Sequence, residues 1–518
     1  MDLNVILAWI AGVSSVVMIV NVLRSPSRPW GWAGVGLFVL AAMGGAALLA
    51  DGLAGWVGGG LWALLMLAPS LAFSVLARAS MRQQYPRAIA WSRLLRLLHP
   101  FDGYWEMPSF YTALAAELRG DVPAAMQYFT QCVRTQCPIG YMAQVHLFRI
   151  CGEWEHLLIW LRVQAPAGVL ERDLSLMALY LRALGETGNL SGLLDAFQRY
   201  RAIIMKADPY SLDLIALMVF AFSGRRQGVE LVLNGALSGY PPALRQFWSD
   251  TADLVQGDPH ARARLTALTE RDNHIVRIAA ERRLTTPLAD PQEALTPAQT
   301  AARDNLYAEL AREAHYRAQP RELARAYVTY TLIGVNMLVF LGETLLGGST
   351  NLQTLVRMGA AVTALVLDGA WWRLIAAGFL HYGWLHLTMN MLALFIFGRI
   401  LETRLGHGRF LLVYLLAGLG AVWMALLPFT IPDQTVVGAS GSIMALLGAF
   451  AATSLIGWRR EHARTARAQW HFALFIIAAQ ALFDLFIPEV SGIAHLSGAL
   501  FGFALTLLLV RQRRQTAA

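Results

Sequence analysis

Residues 437–457 read VGASGSIMALLGAFAATSLIG. The run carries no charge, and crossing a bilayer core of about 30 Å takes roughly 20 apolar residues of helix, so it is long enough to span a membrane. At its head stands Gly438-Ala439-Ser440-Gly441, a serine hydroxyl set in apolar surroundings. Polar side chains are expensive in lipid, which makes Ser440 a candidate functional residue by default. The rest of the chain has the same character. Over 518 residues the mean hydropathy is +0.46 and only 15% of residues are charged, too apolar for an ordinary soluble protein.

Working outward, eight further runs have the length and composition of spans. Three lie at Leu3 to Val22, Trp32 to Ala50 and Gly58 to Leu76. The others lie at Tyr327 to Leu346, Leu374 to Phe397, Phe410 to Phe429, Trp470 to Phe486 and Ser491 to Val510. The first carries Asp2 where a signal peptide has a basic region, so it is retained as a span. Arginines sort the connections. Arg24 and Arg28, Arg78 to Arg87, Arg321 and Arg325, Arg399 to Arg409, Arg459 to Arg467, and Arg511 to Arg514 all fall on one side. The positive-inside rule makes that side cytosolic and puts the N-terminus outside. The formal charge of +8 is thereby accounted for at the membrane surface, without nucleic acid. Lys206 is the sole lysine, which points to a GC-rich coding genome and a bacterial inner membrane. Cys132, Cys137 and Cys151 lack metal-binding spacing and read as reduced, structural cysteines.

Between the two groups of spans the chain turns polar and helical. A glycine in a short polar break recurs there, at Gly120, Gly152, Gly188, Gly224 and Gly257, every 32 to 36 residues. Such a period belongs to stacked helical hairpins. The stretch ALAAELRGDVPAA at Ala113 to Ala125 carries a resemblance to tetratricopeptide repeats. Pro287, Pro291 and Pro297 then punctuate a linker. The expected organisation is three transmembrane helices over 1–79, a cytosolic helical-repeat domain over 80–285 and a linker with a juxtamembrane helix over 286–326. A six-helix membrane bundle follows over 327–518, and the class is an all-α membrane protein.

Three polar groups sit inside the C-terminal spans: Ser440 with its glycines, His381, His386 and Asn390, and Ala494-His495-Leu496-Ser497-Gly498. All three spans enter from the same side. At 1.5 Å per residue Ser440 stands roughly 28 Å above Arg459, and His495 roughly 24 Å above Arg511, so the two share a depth. Gly441, Ala445 and Ala449 form a ridge of small residues on one span, and Ala494, Gly498 and Gly502 form another. Such ridges let helices approach closely in lipid. A serine needs a base to become nucleophilic, and the His495 imidazole suits that role. His386 and Asn390 share a helical face and, with the Ser440 backbone N–H, can donate to an oxyanion.

The motifs HxxxxHxxxN at His381, His386 and Asn390, GxSG at Gly438 to Gly441, and AHxxGxxxG from Ala494 to Gly502 resemble those of the rhomboid proteases, in the same order. Trp372-Arg373 and Glu402-Thr403-Arg404 are similar to two further elements of that family. The resemblance runs from about Tyr327 to Val510. It implies a Ser440–His495 dyad without an aspartate, His386 and Asn390 in the oxyanion hole, water entering from the outer face, and laterally admitted transmembrane substrates. It implies no cofactor. His381, Gly438, Gly441, Trp372, Arg373, Gly498 and Gly502 become supporting positions.

Competing readings weigh less. Zinc at the histidines lacks HExxH and a neighbouring carboxylate. Ser442 lies outside the GxSG position, Asp484 reads as a solvated or paired lone acid, and Trp371, Trp372 and Trp384 read as interfacial anchors, with Trp372 left open by the Trp-Arg element. A protein that binds membrane clients without cutting them is the alternative function, with the repeat domain as the seat of a cytosolic protein partner.

Overall fold

The computed structural model describes residues 3–25, 29–50, 52–135, 137–317, 323–427, 435–486 and 491–515. Asp2, Arg28, Arg321, Phe429 and the side chains of Arg511 and Arg514 lie outside them. The protein is an all-α membrane protein. Among the described residues nine helices are long and apolar enough to cross a membrane: Leu3–Arg24, Trp30–Leu49, Ala54–Met81, Tyr327–Leu345, Gly383–Leu405, His407–Ala425, Ser440–Glu461, Arg464–Phe486 and Gly492–Val510. These are the first to ninth spans below. Chain contacts divide the molecule into two compact units, Asp2–Leu310 and Ala311–Ala518.

In the first unit, helical hairpins follow the three spans. Each of the five recurring glycines is left-handed, with φ between +70° and +84°. Behind each, the next N–H reaches back to a carbonyl five residues earlier: Asp121 to Ala116, Glu153 to Phe148, Asn189 to Leu184, Arg225 to Phe220 and Asp258 to Asp253, at 2.8–3.0 Å. This is the Schellman closure, which favours glycine because it has no Cβ to clash at positive φ. Asp121 and Asn189 then accept the N–H groups of Ala124 and Gly192, capping the returning helices.

Two features depart from an array in which each hairpin meets only its neighbours. Helix His274–Thr285 comes back onto the early hairpins, where Arg282 donates to the carbonyls of Arg149 and Ile150 at 2.8 and 2.7 Å. The neighbouring Arg283 is buried, 3.0 Å from Glu186 and over the rings of Phe222 and Phe247. The expected linker from residue 286 also joins this body through Leu310. Leu306 and Leu310 of helix Pro297–Ala314 are buried in the core of this unit, and Gln299 bonds Ser191 and Asp195. An apolar stripe on that helix therefore makes it part of the fold.

In the second unit the seventh span is the hub, with most of its residues buried. The ninth packs against it without intervening side chains. A Cβ on Gly498 would lie 2.4 Å from the Gly441 carbonyl oxygen, and one on Gly502 would lie 1.9 Å from that of Ala445. At the foot of the fourth span the buried Glu402 carboxylate accepts the N–H groups of Val328 and Thr329 at 2.9 and 2.7 Å and the Thr329 hydroxyl at 2.6 Å. It satisfies donors that a helix N-terminus leaves open.

The fifth span is shorter at its start and longer at its end than the hydropathy run. Residues ahead of it form a short helix, Arg373–Ala376, and a 3-10 turn, Ala377–Phe379. Gly383, at φ +80°, marks the turn into the span, so His381 precedes the helix instead of sitting in it. The helix then continues through the arginines to Leu405, where Gly406 at φ +81° breaks it. A two-residue ribbon adds the only sheet among the described residues, β1 (Ala361–Val362) antiparallel to β2 (Thr435–Val436), with Ala361 opposite Val436.

Candidate active site

The β1–β2 ribbon delivers the chain to Gly438, whose N–H is held by the Ala377 carbonyl at 2.9 Å. Gly438 has φ +122°, a conformation that penalises any side chain. A Cβ there would lie 2.7 Å from His386 Cε1, 2.9 Å from His386 Nε2 and 3.6 Å from Ser440 Oγ. Glycine thus lets the imidazole approach the backbone closely, with the serine hydroxyl beside the same point. Ser440 is the first residue of the seventh span, so its backbone N–H belongs to the unsatisfied first turn.

His386 reaches this space with its tautomer defined. Its Nδ1 accepts the Tyr382 N–H at 3.3 Å, which leaves the proton on Nε2, the nitrogen beside Gly438. Asn390, one turn on, is buried, and its Nδ2 has no hydrogen-bond partner among the described residues. The His381 ring lies tilted beside that of His386, with centroids 5.2 Å apart, and its Nδ1 lies 3.3 Å from the Phe379 carbonyl oxygen. Its own N–H is accepted by Glu343 at 2.9 Å.

On the ninth span, His495 is buried with Nδ1 2.9 Å from Asp484 Oδ2 of the eighth. Gln480 Nε2 donates to the other Asp484 oxygen at 2.8 Å. The close contact between Gly441 and Ala494 brings the neighbours Ser440 and His495 to one region, although no hydrogen bond joins them among the described residues. Bonds of this kind often tighten only when substrate is bound. Ser442 points elsewhere, against Gly418 of the sixth span.

A family model for the rhomboid domain matches residues 368–512. The putative rhomboid protease YdcA of Bacillus subtilis is 35% identical over 156 residues, which are 29% of this chain and 73% of that protein. The chain belongs to the rhomboid family. Rhomboid protease GluP of Bacillus subtilis is 35% identical over 175 residues, 34% of this chain and 33% of that protein. RHOMBOID-like protein 5 of Arabidopsis thaliana is 36% identical over 167 residues, 32% of this chain and 52% of that protein. This rhomboid thus spans about a third to a half of the length of the first curated relatives it matches. Because the relatives come from a bacterium and a plant, a bacterial source rests on the scarcity of lysine alone.

Arg373 of this rhomboid ties a loop in place. Its Nη1 donates to the carbonyls of Val356 and Ala360 at 2.6 and 3.0 Å, while its guanidinium lies over the Trp372 ring. Trp372 in turn covers Gly359, at φ +114°, where a Cβ would collide with it. Both residues buttress the loop after the fourth span. Glu343 and the partnership of Asp484 escaped sequence reasoning. Each is a lone acid in an apolar helix, and the default for such residues, a named functional role with a partner, is the signal that singles them out.

Proposed function

We propose that this rhomboid is an intramembrane serine endopeptidase that cuts a peptide bond in or next to a transmembrane segment of another membrane protein. The observation that carries the reading is the convergence of Ser440 Oγ and the His386 Nε2 edge on Gly438. Ser440 attacks the scissile carbonyl, and His495 Nε2 takes its proton and returns it to the leaving amine. The new oxyanion accepts from His386 Nε2–H, Asn390 Nδ2–H and the Ser440 N–H. Loss of one such donor typically costs about 100 to 1,000 fold in rate.

The test is co-expression with a model transmembrane substrate. Wild type is expected to cleave, and Ser440→Ala and His495→Ala are expected to abolish cleavage. A fluorophosphonate serine probe should label the wild type and not Ser440→Ala. Substrate capture with equal, absent cleavage by all three proteins would favour the client-binding alternative.

We further propose that the repeat unit lies in the cytosol and recruits a protein partner or substrate tail, which the hairpin stack and the arginine distribution support. Cys151 is exposed on that unit. A membrane-impermeant maleimide should therefore label it in inverted vesicles and not in intact cells. The opposite pattern would reverse the orientation.

A further inference from the structure

We propose that Asp484 completes the reacting set as a positioning residue that holds the His495 ring by Nδ1, converting the expected dyad into a Ser440–His495–Asp484 arrangement. The inference rests on the serine endopeptidase reading above.

The geometry around Nδ1 is specific, with Asp484 as the near partner and Gln480 Nε2 farther off at 3.4 Å. Asp484 Oδ2 lies 2.9 Å from Nδ1, across the gap between the eighth and ninth spans, and both side chains are nearly inaccessible, at 7% for His495 and 4% for Asp484. A carboxylate only accepts, so the shared proton sits on Nδ1 and the Nε2 lone pair is left for the serine hydroxyl. The carboxylate is itself oriented. Gln480 Nε2 donates to Oδ1 at 2.8 Å, from one helical turn earlier on the same span. Gly492, at the start of the ninth span, lets the two helices close at this level, since a Cβ there would already lie 3.3 Å from Asp484 Cβ. The ring is thus braced before substrate arrives, and no other acid bonds it among the described residues.

Asp484 exchanges no proton in the reaction. The proton from Ser440 Oγ resides on Nε2 while the acyl-enzyme forms, and it leaves with the amine. The Nδ1–H bond to Asp484 persists throughout and stabilises the transient imidazolium. Removing the orienting carboxylate from a serine protease triad costs about 10⁴ in kcat, which sets the upper scale here.

The experiment uses the full-length protein in liposomes with a model transmembrane substrate, comparing wild type, Asp484→Asn, Asp484→Leu, Asp484→Glu and Ser440→Ala. Both Asp484→Asn and Asp484→Leu should lower kcat by at least about 10-fold with KM unchanged, and Asp484→Glu should recover part of the loss. A purely structural role predicts a lowered melting temperature with kcat retained, and that result overturns the proposal. So does wild-type kcat in both variants. If Asp484 variants fail to assemble, Gln480→Leu keeps the carboxylate but frees Oδ1. A several-fold fall in kcat at constant KM then supports the proposal, and wild-type kcat overturns it. Ser440→Ala separates the two claims. Retained cleavage there sinks the protease reading itself, whereas lost cleavage beside unaffected Asp484 variants sinks only the role of Asp484.

Discussion

At Gly438 the absence of a side chain and the sign of one dihedral angle shape the candidate site. The left-handed φ of +122° aims the following residues so that Ser440 begins a helix, and the missing Cβ leaves room beside His386. Gly438→Ala is therefore expected to push the His386 ring away from Ser440. Backbone strain there costs about 1–3 kcal/mol, which a packed bundle tolerates. Cleavage should fall by about 100-fold or more while the protein still inserts and melts near the wild-type temperature. A cleavage assay paired with a melting curve in detergent checks both halves. The contrast with Gly441 is informative: a Cβ there would meet Ala421 Cβ at 3.0 Å, so that glycine serves the packing of the helices.

Helix against helix, the seventh and ninth spans define the candidate site. Neither has a long side chain at the crossing, and Gly448, Gly498 and Gly502 each place backbone directly against the carbonyl of the other helix. Lipid offers little apolar drive for such pairing, so close van der Waals contact between small residues has to supply it. Gly502→Leu should force the two helices apart and separate Ser440 from His495. A shift of about 1 Å can cost 100-fold in rate, and a loss of that order is expected with KM little changed. Leu508→Ala is the control, because Leu508 is 60% exposed on the same helix and its loss should leave cleavage intact. Equal effects from the two substitutions would argue against the crossing as the determinant. The Schellman glycines of the first unit work differently. They end helices at left-handed turns, and side chains such as His274 and Arg282 pack over Gly120 and Gly152.

At the scale of the whole molecule, the first unit has cores of its own, and the half-buried His146 packs against the one that contains Phe129. Its ring stacks on Phe129 at 5.2 Å, meets Phe110 edge-on and accepts from Arg149 Nε at 3.1 Å. Burial first, and then the charges of Arg149 and Arg182, hold its pKa well below the ordinary histidine value. The folded ring stays neutral, whereas the unfolded chain takes up a proton below about pH 6.5. Stability is therefore full above about pH 6.5 and is lost as pH falls below it. The melting temperature of this unit should drop between pH 7.5 and 5.5, and His146→Phe should flatten that dependence. Parallel pH profiles for the two proteins would contradict the assignment.

Much of this was legible along the chain, and for identifiable reasons. Apolar runs, the recurrence of Gly120 to Gly257 and the order of the His386, Ser440 and His495 motifs are local properties, readable wherever a helix must cross lipid or end in a left-handed glycine. The amino-acid sequence by itself thus determined an all-α membrane protein with nine candidate spans among the described residues, helix-ending glycines every 32 to 36 residues, and the residues to watch in the rhomboid core. Tertiary structure alone decided the partners. Asp484 meets His495 because of how far the eighth and ninth spans rotate about their axes, and hydropathy is silent on rotation. The helix carrying Arg282 and Arg283 returns to early hairpins, and Leu306 and Leu310 turn an expected linker into core, because these contacts join residues far apart in the chain. The fifth span begins at Gly383, past His381, because a positive φ, and not a fall in hydropathy, starts it. Spacing along a chain reports what one helix can do, whereas a pair of side chains on two helices exists only once both are packed.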